Sequence, residues 1–515
     1  MSHSTSTRDD EHMEVSSQET KNQSEERGEK VDGDVVGELA VEGAARTYED
    51  DIVVWDDNDM ENPYNWSAGK RWRITMCLSG LTFVVTFASS VFSTALVPTE
   101  REFDISQEVA TLGTSLYVLG WAIGPTLWGP FSELYGRTIP LFTGYALFTI
   151  FNIPVAVAQN TETVMLGRFF QGINSCAPLA VTGGALADIW GPVERGLAVM
   201  VFSVCCFIGP LLSPVVGGFI IMDDRLGWRW VEWITFILAI FFGILGFIGI
   251  PETYAATLLQ RRAKKLRHET KNWALRAKID ESEVTFKDVL TRYLLRPINM
   301  MVQEPILLLL SIYMSLVWGL LYLFLTSIPY SFQLERHWSP GVGALPFLSM
   351  TLGVFVGAIV IILDVKLRFQ PLFARSPELI TPETRLPTMI IGSFILPIGL
   401  FWFAWTSSPN LNPAPQIISG VVTGCGILMI FLQGLNYIVD VYRLNANSGI
   451  AANTMLRNVF GAAFPLFGFQ LYDRLGVPWA TSLLAFLAVA FIPGPLLFYV
   501  YGSRIRAKSK FSFKA

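Results

Sequence analysis

The sequence predicts an all-α integral membrane protein with twelve transmembrane helices in two six-helix halves. Three observations lead to this fold class. Hydrophobic residues make up 51% of the 515-residue chain, whereas charged residues make up only 16%. The apolar runs are about 20 residues long, which is the length that a helix needs to cross the hydrocarbon core. A long polar interval divides these runs into two sets of six.

The predicted spans are the runs that are almost free of charged residues. Most of the segments that connect them are short and hold most of the charges, while one long polar interval follows the sixth span. In the first half the spans are residues 74–96, 109–131, 138–158, 163–187, 196–221 and 231–250. In the second half they are residues 305–327, 342–363, 387–406, 416–440, 449–471 and 479–501.

Polar segments set the domain boundaries. Residues 1–69 are rich in Glu, Ser and Asp, and we expect a disordered acidic cytosolic tail. Because no basic stretch followed by an apolar run occurs there, no cleavable signal peptide is expected. The other predicted units are a six-helix bundle at 70–250, a cytosolic linker at 251–304, a second six-helix bundle at 305–503 and a basic cytosolic tail at 504–515.

The linker at 251–304 is basic and contains RRAKKLR at 261–267. Its pattern indicates one or two amphipathic helices on the cytosolic membrane surface, in contact with anionic lipid. A plain connecting segment is the alternative. Whichever holds, its position between two sets of six spans is typical of transporters whose substrate site lies between two halves.

The distribution of Lys and Arg predicts the orientation. The loops on one side carry most of these residues, including Lys70, Arg137, Arg195 and the tail from Arg504 onwards. Short cytosolic loops are enriched in Lys and Arg. Both termini are therefore expected in the cytosol, which agrees with an even number of spans.

Histidine and cysteine usage argues against an enzyme. The four histidines, His3, His12, His268 and His337, all lie outside the predicted spans. The membrane-embedded part therefore offers no histidine for a metal site or a catalytic triad. The five cysteines all lie inside predicted spans and are interpreted as small apolar packing residues. No metal and no nucleic-acid partner is expected.

The fourth predicted span carries Arg168, Gln171 and Asn174 at intervals of three residues, which places them on one helical face. A charge inside the membrane is costly and usually functional. Arg168 lies towards the outer end of its span, where snorkelling towards water is the alternative. Its alignment with Gln171 favours a buried role. Asp188 closes the same helix on the cytosolic side.

The tenth and eleventh spans also carry polar residues at helical spacing. Three of them precede Asp440 in the tenth span, and an asparagine lies four residues before Arg457 in the eleventh. An alternative for Asp440 and Arg457 is that each lies near the cytosolic end and snorkels or forms a pair. The residues predicted to line a substrate cavity are Gln171, Asn174, Tyr322, Gln433, Asn436, Tyr437 and Asn453.

The turn between the second and third spans reads GPFSELYGR at 129–137. A tight turn requires Gly136, and Glu133 can pair with Arg137 across the turn or with a helix N-terminus. A charged turn of this kind would hold the inward face shut. The predicted latch residues are Gly129, Glu133, Gly136 and Arg137.

The fifth span contains FIGPLLSPVVGGF at 207–219, an unusual density of Gly and Pro for a helix. Small residues at positions 209, 213 and 217, four apart, form a smooth ridge against which another helix can lie. An ordinary packing kink is the alternative. The predicted packing residues are Gly209, Pro210, Pro214, Gly217 and Gly218.

Taken in order, these motifs resemble those of the major facilitator superfamily, and more narrowly of the twelve-span drug:proton antiporters of fungi. The turn at 129–137 resembles the first family signature, whose acid, Gly and Arg form a conformational latch. RFFQG at 168–172 resembles the fourth-span signature, and 207–219 resembles the fifth-span antiporter signature. PETYAATLLQRRAKKLR at 251–267 is also typical of the fungal branch. The resemblance covers residues 65 to 503 and departs from the general pattern at Leu134 and Thr138, where the family carries bases.

The resemblance implies alternating access around a midplane site, with Arg168 and Asp188 in proton coupling. It implies a plasma-membrane monomer that needs no cofactor other than a proton gradient and whose partners are a small molecule and the bilayer. The vacuolar membrane is the alternative location. The loosely similar second-half counterpart of the latch is Asp364, Lys366 and Arg368.

Proton-coupled export of small, largely apolar organic compounds is therefore the predicted function. The antiporter signature favours export over uptake. A proton-coupled nutrient importer is the alternative, although the missing latch bases are not typical of sugar importers. A polyamine carrier is disfavoured because few acids lie deep in the spans. A membrane sensor would need long folded cytosolic modules, and the polar tail and linker are not of that kind.

Overall fold

The computed structural model describes residues 48–511 apart from several short segments. Most of the predicted acidic tail and part of the linker therefore lie outside the described residues. The residues outside the described part are 1–47, 50, 57, 192–193, 282–290, 292–294, 376–380 and 512–515.

Six long helices form the first half. Side-chain oxygens of Ser67, Ser106 and Asn160 accept hydrogen bonds from the backbone N–H groups three residues further on and so begin three of these helices. A 3₁₀ turn at Phe92–Ala95 and a short helix at Leu96–Phe103 continue the first of them. The six are α1 (Ala68–Val91), α2 (Gln107–Leu134), α3 (Thr138–Ala156), α4 (Thr161–Ile189), α5 (Arg195–Ile220) and α6 (Arg229–Gly249).

The second half repeats this plan with more irregular helix ends. Its first four long helices are α7 (Pro305–Pro329), α8 (Phe347–Asp364), α9 (Leu386–Trp405) and α10 (Pro413–Tyr442). Shorter helical pieces flank them at Ala255–Thr270, Arg296–Gln303, Tyr330–Glu335, Pro340–Ala344, Val365–Phe369, Gln370–Arg375 and Pro382–Arg385.

The last long helix, Ala446–Phe491, is broken at Gly476, whose φ of 69° and ψ of 163° are not helical. Glycine adopts this backbone conformation without steric cost. The break separates α11 (residues 446–475) from α12 (residues 477–491), which Pro493–Lys508 continues.

Nine helical stretches of the described residues are long and apolar enough to cross a membrane. One of them, Ala446–Ala507, contains both α11 and α12. The helices α2 and α4 are not among the nine because they carry more polar residues, but with 28 and 29 residues they are long enough to span the bilayer. The chain therefore has the predicted fold of twelve transmembrane helices in two halves.

The two halves meet along two helix pairs, α2 with α11 and α5 with α8. Close to the middle of this interface the Phe207 ring from α5 lies edge-on against Trp318 and Phe431 of the second half, with ring centroids 5.6 and 5.0 Å apart. The Tyr322 hydroxyl and Ser89 Oγ are 2.8 Å apart and link α7 to α1. The interface is thus aromatic at its centre.

Part of the segment that the sequence analysis assigns to the acidic tail is ordered. Strands at Tyr48–Glu49 and Ile52–Val53 pair as an antiparallel hairpin, and a 3₁₀ turn follows at Pro63–Asn65. The side chain of Val53 is buried, and Trp66 is buried in the main core. These apolar contacts order the segment before α1.

The linker helix, Ala255–Thr270, forms as expected but does not present its whole apolar face to lipid. Its Ala263 packs with Val53 and Leu275. Arg262 on the same helix forms an ion pair with Asp59. The segment before α1 thus covers part of the apolar face that the sequence pattern assigned to the membrane surface.

Candidate functional site

Arg168 lies in α4 and is fully buried. Its Nε donates to the Gly113 carbonyl of α2 at 2.9 Å, and its Nη2 donates to the carbonyls of Ala88 and Ser89 in α1 at 2.9 and 3.3 Å. Its Nη1 donates to Gln171 Oε1 at 3.1 Å and to Glu232 Oε1 at 3.3 Å. All five guanidinium donors therefore have acceptors, and one side chain connects four helices.

Glu232 supplies the negative charge of this cluster. It lies in the first turn of α6, its side chain is fully buried, and its Oε2 accepts a hydrogen bond from Gln171 Nε2 at 3.2 Å. A carboxylate held this way is stable only beside its cationic partner, and removing one member of a buried pair costs about 3–5 kcal/mol. The free energy of this pair therefore depends strongly on whether the Glu232 carboxylate is protonated.

The sequence reasoning missed Glu232 because the residue sits at the boundary of the predicted sixth span, where an acid would face water. The signal that could have found it is its position three residues after Arg229 and inside the apolar run. The bundle packs α6 against α1 and α3, and the Glu232 carboxylate meets Arg168 of α4 inside the protein rather than at its surface.

Asp188 does not lie beside Arg168. The two residues are twenty positions apart on α4, which is about 30 Å along a helix. Asp188 Oδ2 instead accepts a hydrogen bond from Arg137 Nε at 2.9 Å. The two residues grouped by the predicted coupling role therefore belong to two separate clusters, one towards each end of α4.

The cluster around Arg137 marks what we name the inner end of the bundle, the end predicted to face the cytosol. The guanidinium carbon lies 4.7 Å from the centre of the Tyr254 ring. A Cβ atom at Gly184 would come within 2.7 Å of that carbon, so glycine is needed for Arg137 to lie against α4. Arg137 is thereby held against its own half of the protein.

Glu252, just after α6, joins the same cluster. Its carboxylate accepts hydrogen bonds from the backbone N–H of Arg137 at 2.8 Å and of Thr138 at 3.2 Å, at the start of α3. Burial alone would raise the pKa of Glu252, but the hydrogen bonds from the N–H groups of Tyr254, Arg137 and Thr138 hold that pKa below its ordinary value. The Glu252 carboxylate thus caps α3. Gly136, with φ of 86°, lies against it where a Cβ would be 2.5 Å from Oε2.

The other latch residues lie nearby. Glu133 Oε1 accepts a hydrogen bond from Nδ2 of Asn447 in α11 at 3.2 Å, and Gly129 accepts one from Ser132 Oγ through its carbonyl. The pairing of Glu133 with Arg137 considered from the sequence is not the arrangement observed, since Arg137 pairs with Asp188. Glu133 contributes a contact between the two halves.

The second-half counterpart of this cluster is not the predicted set at positions 364, 366 and 368. Arg385, just before α9, pairs with Asp440 at the end of α10 at 3.0 Å, as Arg137 just before α3 pairs with Asp188 at the end of α4. Asp364 and Arg368 form an i,i+4 pair with each other at 2.6 Å. The sequence pattern failed because Arg385 is not preceded by a segment with the GPFSELYGR spacing. The alternative that Asp440 pairs near the cytosolic end is the one observed.

The predicted cavity residues do not form one cluster. Gln171 belongs to the Arg168 cluster, and Asn174 donates to the Phe170 carbonyl of its own helix. Tyr322 lies at the centre of the interface, bonded to Ser89. The Asn453 side chain donates to Ser311 Oγ at 3.2 Å. The members on α10 are Gln433 and Tyr437, which are buried, and Asn436, which is half-buried.

Arg457 is near the middle of the bundle and not near the cytosolic end of its span. It follows the start of α11 by eleven residues, about 17 Å along the helix. Its guanidinium carbon lies 4.6 Å from the centre of the Trp318 ring and 4.8 Å from that of Phe431. The snorkelling alternative for Arg457 is therefore wrong.

The small-residue ridge of α5 packs against α1. Ser213 Oγ and Ser90 Oγ are 2.9 Å apart, and a Cβ at Gly209 would lie 2.1 Å from Thr86 Oγ1. Gly218 lies against the second half, where a Cβ would be 2.8 Å from the Pro340 carbonyl oxygen. The ridge therefore sets both the packing within the first half and one of its contacts with the second.

Replacing Gly217 with Ala should destabilise the protein by about 1–3 kcal/mol, because the new Cβ would lie 2.4 Å from Thr94 Oγ1. Adding Thr94→Ala should restore most of this loss, since it removes the colliding atom. Thermal denaturation in detergent would measure both variants. Gly183→Ala is the control, because nothing lies within 4 Å of its Cβ position. Equal melting temperatures for all three variants would contradict the packing.

Metal binding finds no support in the part of the chain that the structure describes. Within it, no group of three or more His, Cys, Asp or Glu side chains could hold a metal ion. The clusters described above consist of ion pairs and hydrogen bonds.

The twelve-helix fold, the buried ion pair and the motif turns define a class of protein, and the comparisons with known proteins agree. The family model of the Major Facilitator Superfamily matches residues 78–465. The chain belongs to this family. It is a multi-pass membrane transporter and not an enzyme.

Among its relatives is the citrinin biosynthesis cluster transporter mrr1 of Monascus ruber, which is 54% identical over 90% of this chain and 93% of the relative. The multidrug transporter mdrA of Aspergillus fumigatus is 42% identical over 90% of this chain and 76% of the relative. The proton:xylose symporter XylE has a similar fold, with a TM-score of 0.61, 16% identity and coverage of 85% of this chain and 96% of XylE.

Proposed function

We propose that this chain is a proton-coupled secondary transporter that exports small, largely apolar organic compounds from the cytosol. The observation that carries the proposal is the fully buried pair of Arg168 and Glu232, which is connected to the interface between the halves. The printed names of mrr1 and mdrA, a biosynthesis-cluster transporter and a multidrug transporter, support a small organic substrate. The basic inner loops support cytosolic termini, and the plasma membrane is the proposed location.

In this mechanism Glu232 carries the proton. When it is ionised, the carboxylate holds Arg168 Nη1, and Arg168 in turn holds the α1 carbonyls of Ala88 and Ser89. Protonation removes the charge that pairs with Arg168, so the guanidinium is then held by carbonyl oxygens and Gln171 alone. Protonation of Glu232 therefore changes the interactions that hold Arg168 against α1.

Ser89 connects the Arg168 cluster to the second half. Its carbonyl accepts from Arg168, while its hydroxyl bonds the Tyr322 hydroxyl on α7. A shift of α1 at Ser89 therefore acts directly on the central contact between the halves. Alternating access in such folds is a rocking of the halves about a site at that depth.

Efflux from cells would test the proposal. Cells that express or lack the chain are loaded with a panel of hydrophobic toxins, with and without a proton uncoupler. We expect lower accumulation on expression, and we expect the uncoupler to abolish the difference. Higher accumulation on expression would mean import, and a difference that survives the uncoupler would remove proton coupling from the proposal.

A further inference from the structure

Arg457 is a centrally placed cation that contacts aromatic rings but has no hydrogen-bond acceptor among the described residues. Among the described residues it forms no hydrogen bond and no ion pair, and its Nε is buried without an acceptor. Arg168, in the same membrane domain, has an acceptor for each of its five donors. An unpaired guanidinium at this depth is costly, and such residues face substrate pathways.

A second donor beside Arg457 is also unpartnered. The indole Nε1 of Trp318 is buried and has no acceptor, while the ring of the same residue lies under the guanidinium. Indole N–H and guanidinium are both donors only, so neither can satisfy the other. Arg457 and Trp318 Nε1 therefore both lack an acceptor among the described residues.

No carboxylate in the described part of the chain pairs with Arg457. The titratable side chains that interact most strongly with its charge are Cys206, Tyr322 and Cys176, all neutral in their ordinary protonation states at pH 7. The site is therefore positive. It repels organic cations and attracts anions, and attraction is strong where water is largely excluded.

The walls around this charge are aromatic and come from both halves. Phe207 of α5 lies edge-on to Trp318 and Phe431, and Trp318 and Phe431 are themselves stacked at 5.5 Å with an angle of 26°. Tyr322 lies 5.7 Å from Trp318. Flat aromatic surfaces of this kind pack well against a planar ring.

We propose that Arg457 and Trp318 Nε1 bind the anionic group of the substrate, and that the preferred substrates are planar aromatic organic acids. A carboxylate would satisfy both free donors at once, and its ring system would enter between the aromatic side chains of the two halves. The proposal rests on the proposed export function and names its substrate class. It also places the substrate next to Tyr322, the residue through which the Arg168 cluster reaches the second half.

Efflux of matched probes tests the substrate class. Cells expressing the full chain are loaded with aromatic carboxylates of one to four fused rings, with their methyl esters and with the corresponding primary amines. The carboxylates should be exported in preference to the esters and amines. Export of esters or amines but not of carboxylates would overturn the anion site while leaving export intact. Export of no probe at all would overturn the proposed function itself.

Variants locate the site. Arg457→Gln should lower the ratio of carboxylate efflux to ester efflux by about tenfold or more, as expected for the loss of a charge-assisted contact. Arg457→Lys should retain part of the carboxylate efflux. Trp318→Phe keeps a ring and removes the Nε1 donor, so it should impair carboxylates selectively. Arg474→Gln removes an exposed charge from the same helix and should have no effect.

Thermal melting separates loss of the site from loss of the fold. If Arg457→Gln melts like the wild type and still exports carboxylates normally, the site is wrong. If that variant is unfolded, Arg457→Lys and Trp318→Phe provide the test. An unchanged preference for carboxylates over esters in both variants would overturn the proposal.

Discussion

Replacing Glu232 with Gln should abolish proton-driven export while leaving the protein folded in the membrane. The amide has nearly the same shape as the carboxylate, and its oxygen can still accept a hydrogen bond from Arg168. It cannot bind or release a proton near neutral pH. Arg168 then stays in one charge environment, and the change that is transmitted through Ser89 to Tyr322 does not occur.

The measurement needs two assays on purified protein in liposomes. Accumulation of substrate against its gradient, driven by a pH difference, should fall to background in Glu232→Gln. Exchange of substrate across the membrane at equal pH should persist, because exchange requires no net proton movement. Loss of both activities in a folded protein would show that Glu232 supports the structure of the site and does not carry the proton.

Glu102→Gln provides the matched control. Glu102 also pairs with an arginine, Arg229, but its side chain keeps 39% of its surface exposed. An exposed pair of this kind contributes about 0–1 kcal/mol and is screened by water. The control should therefore keep proton-driven transport, and equal inactivation of the two variants would contradict a special role for Glu232.

Sequence reasoning could predict the fold because span length and charge placement are local properties. It placed Arg168 and Gln171 on one face correctly, since i,i+3 spacing fixes that relation within one helix. It could not predict Glu232 as their partner, because that depends on how α6 packs against α1 and α3 in the folded bundle. The same limit explains why Asp188 was grouped with Arg168 although it pairs with Arg137.

Depth in the membrane was the other property that the sequence left open. Arg457 lies well inside the bundle. The boundaries of a span are predicted only to within several residues, so the sequence alone does not decide whether Arg457 is close to water or to the centre of the membrane. Contacts between halves, such as that of Asn447 with Glu133, are between residues hundreds of positions apart. Such contacts cannot be predicted from the spacing of residues along the chain.

Two single-atom changes at opposite ends of one helix pair should shift the transporter in opposite directions. At the inner end Asn447 of α11 donates to Glu133 of α2 at 3.2 Å. At the other end, which we name the outer end, Gln470 of α11 donates to Glu108 of α2 at 3.0 Å. Between them Asn458 donates to the Trp121 carbonyl at 3.0 Å. The α2–α11 pair is thus closed at both ends and bonded in the middle.

Asn447→Asp should open the inner end and Gln470→Glu the outer end, because each places a second carboxylate against an existing one and removes a donor. At these exposed positions water screens the repulsion, so each variant should shift the two-state population by a few-fold only. Spin labels at Val157 and Trp479 would report the outer separation, and labels at Tyr135 and Ser503 the inner one. Each variant should lengthen only its own pair of labels, and high salt should reduce the shift by screening.

If both variants lengthened the same pair, the two contacts would not be the opposing closures of a rocking bundle. If neither changed a distance, the contacts at the ends of α2 and α11 would contribute nothing to the conformational balance.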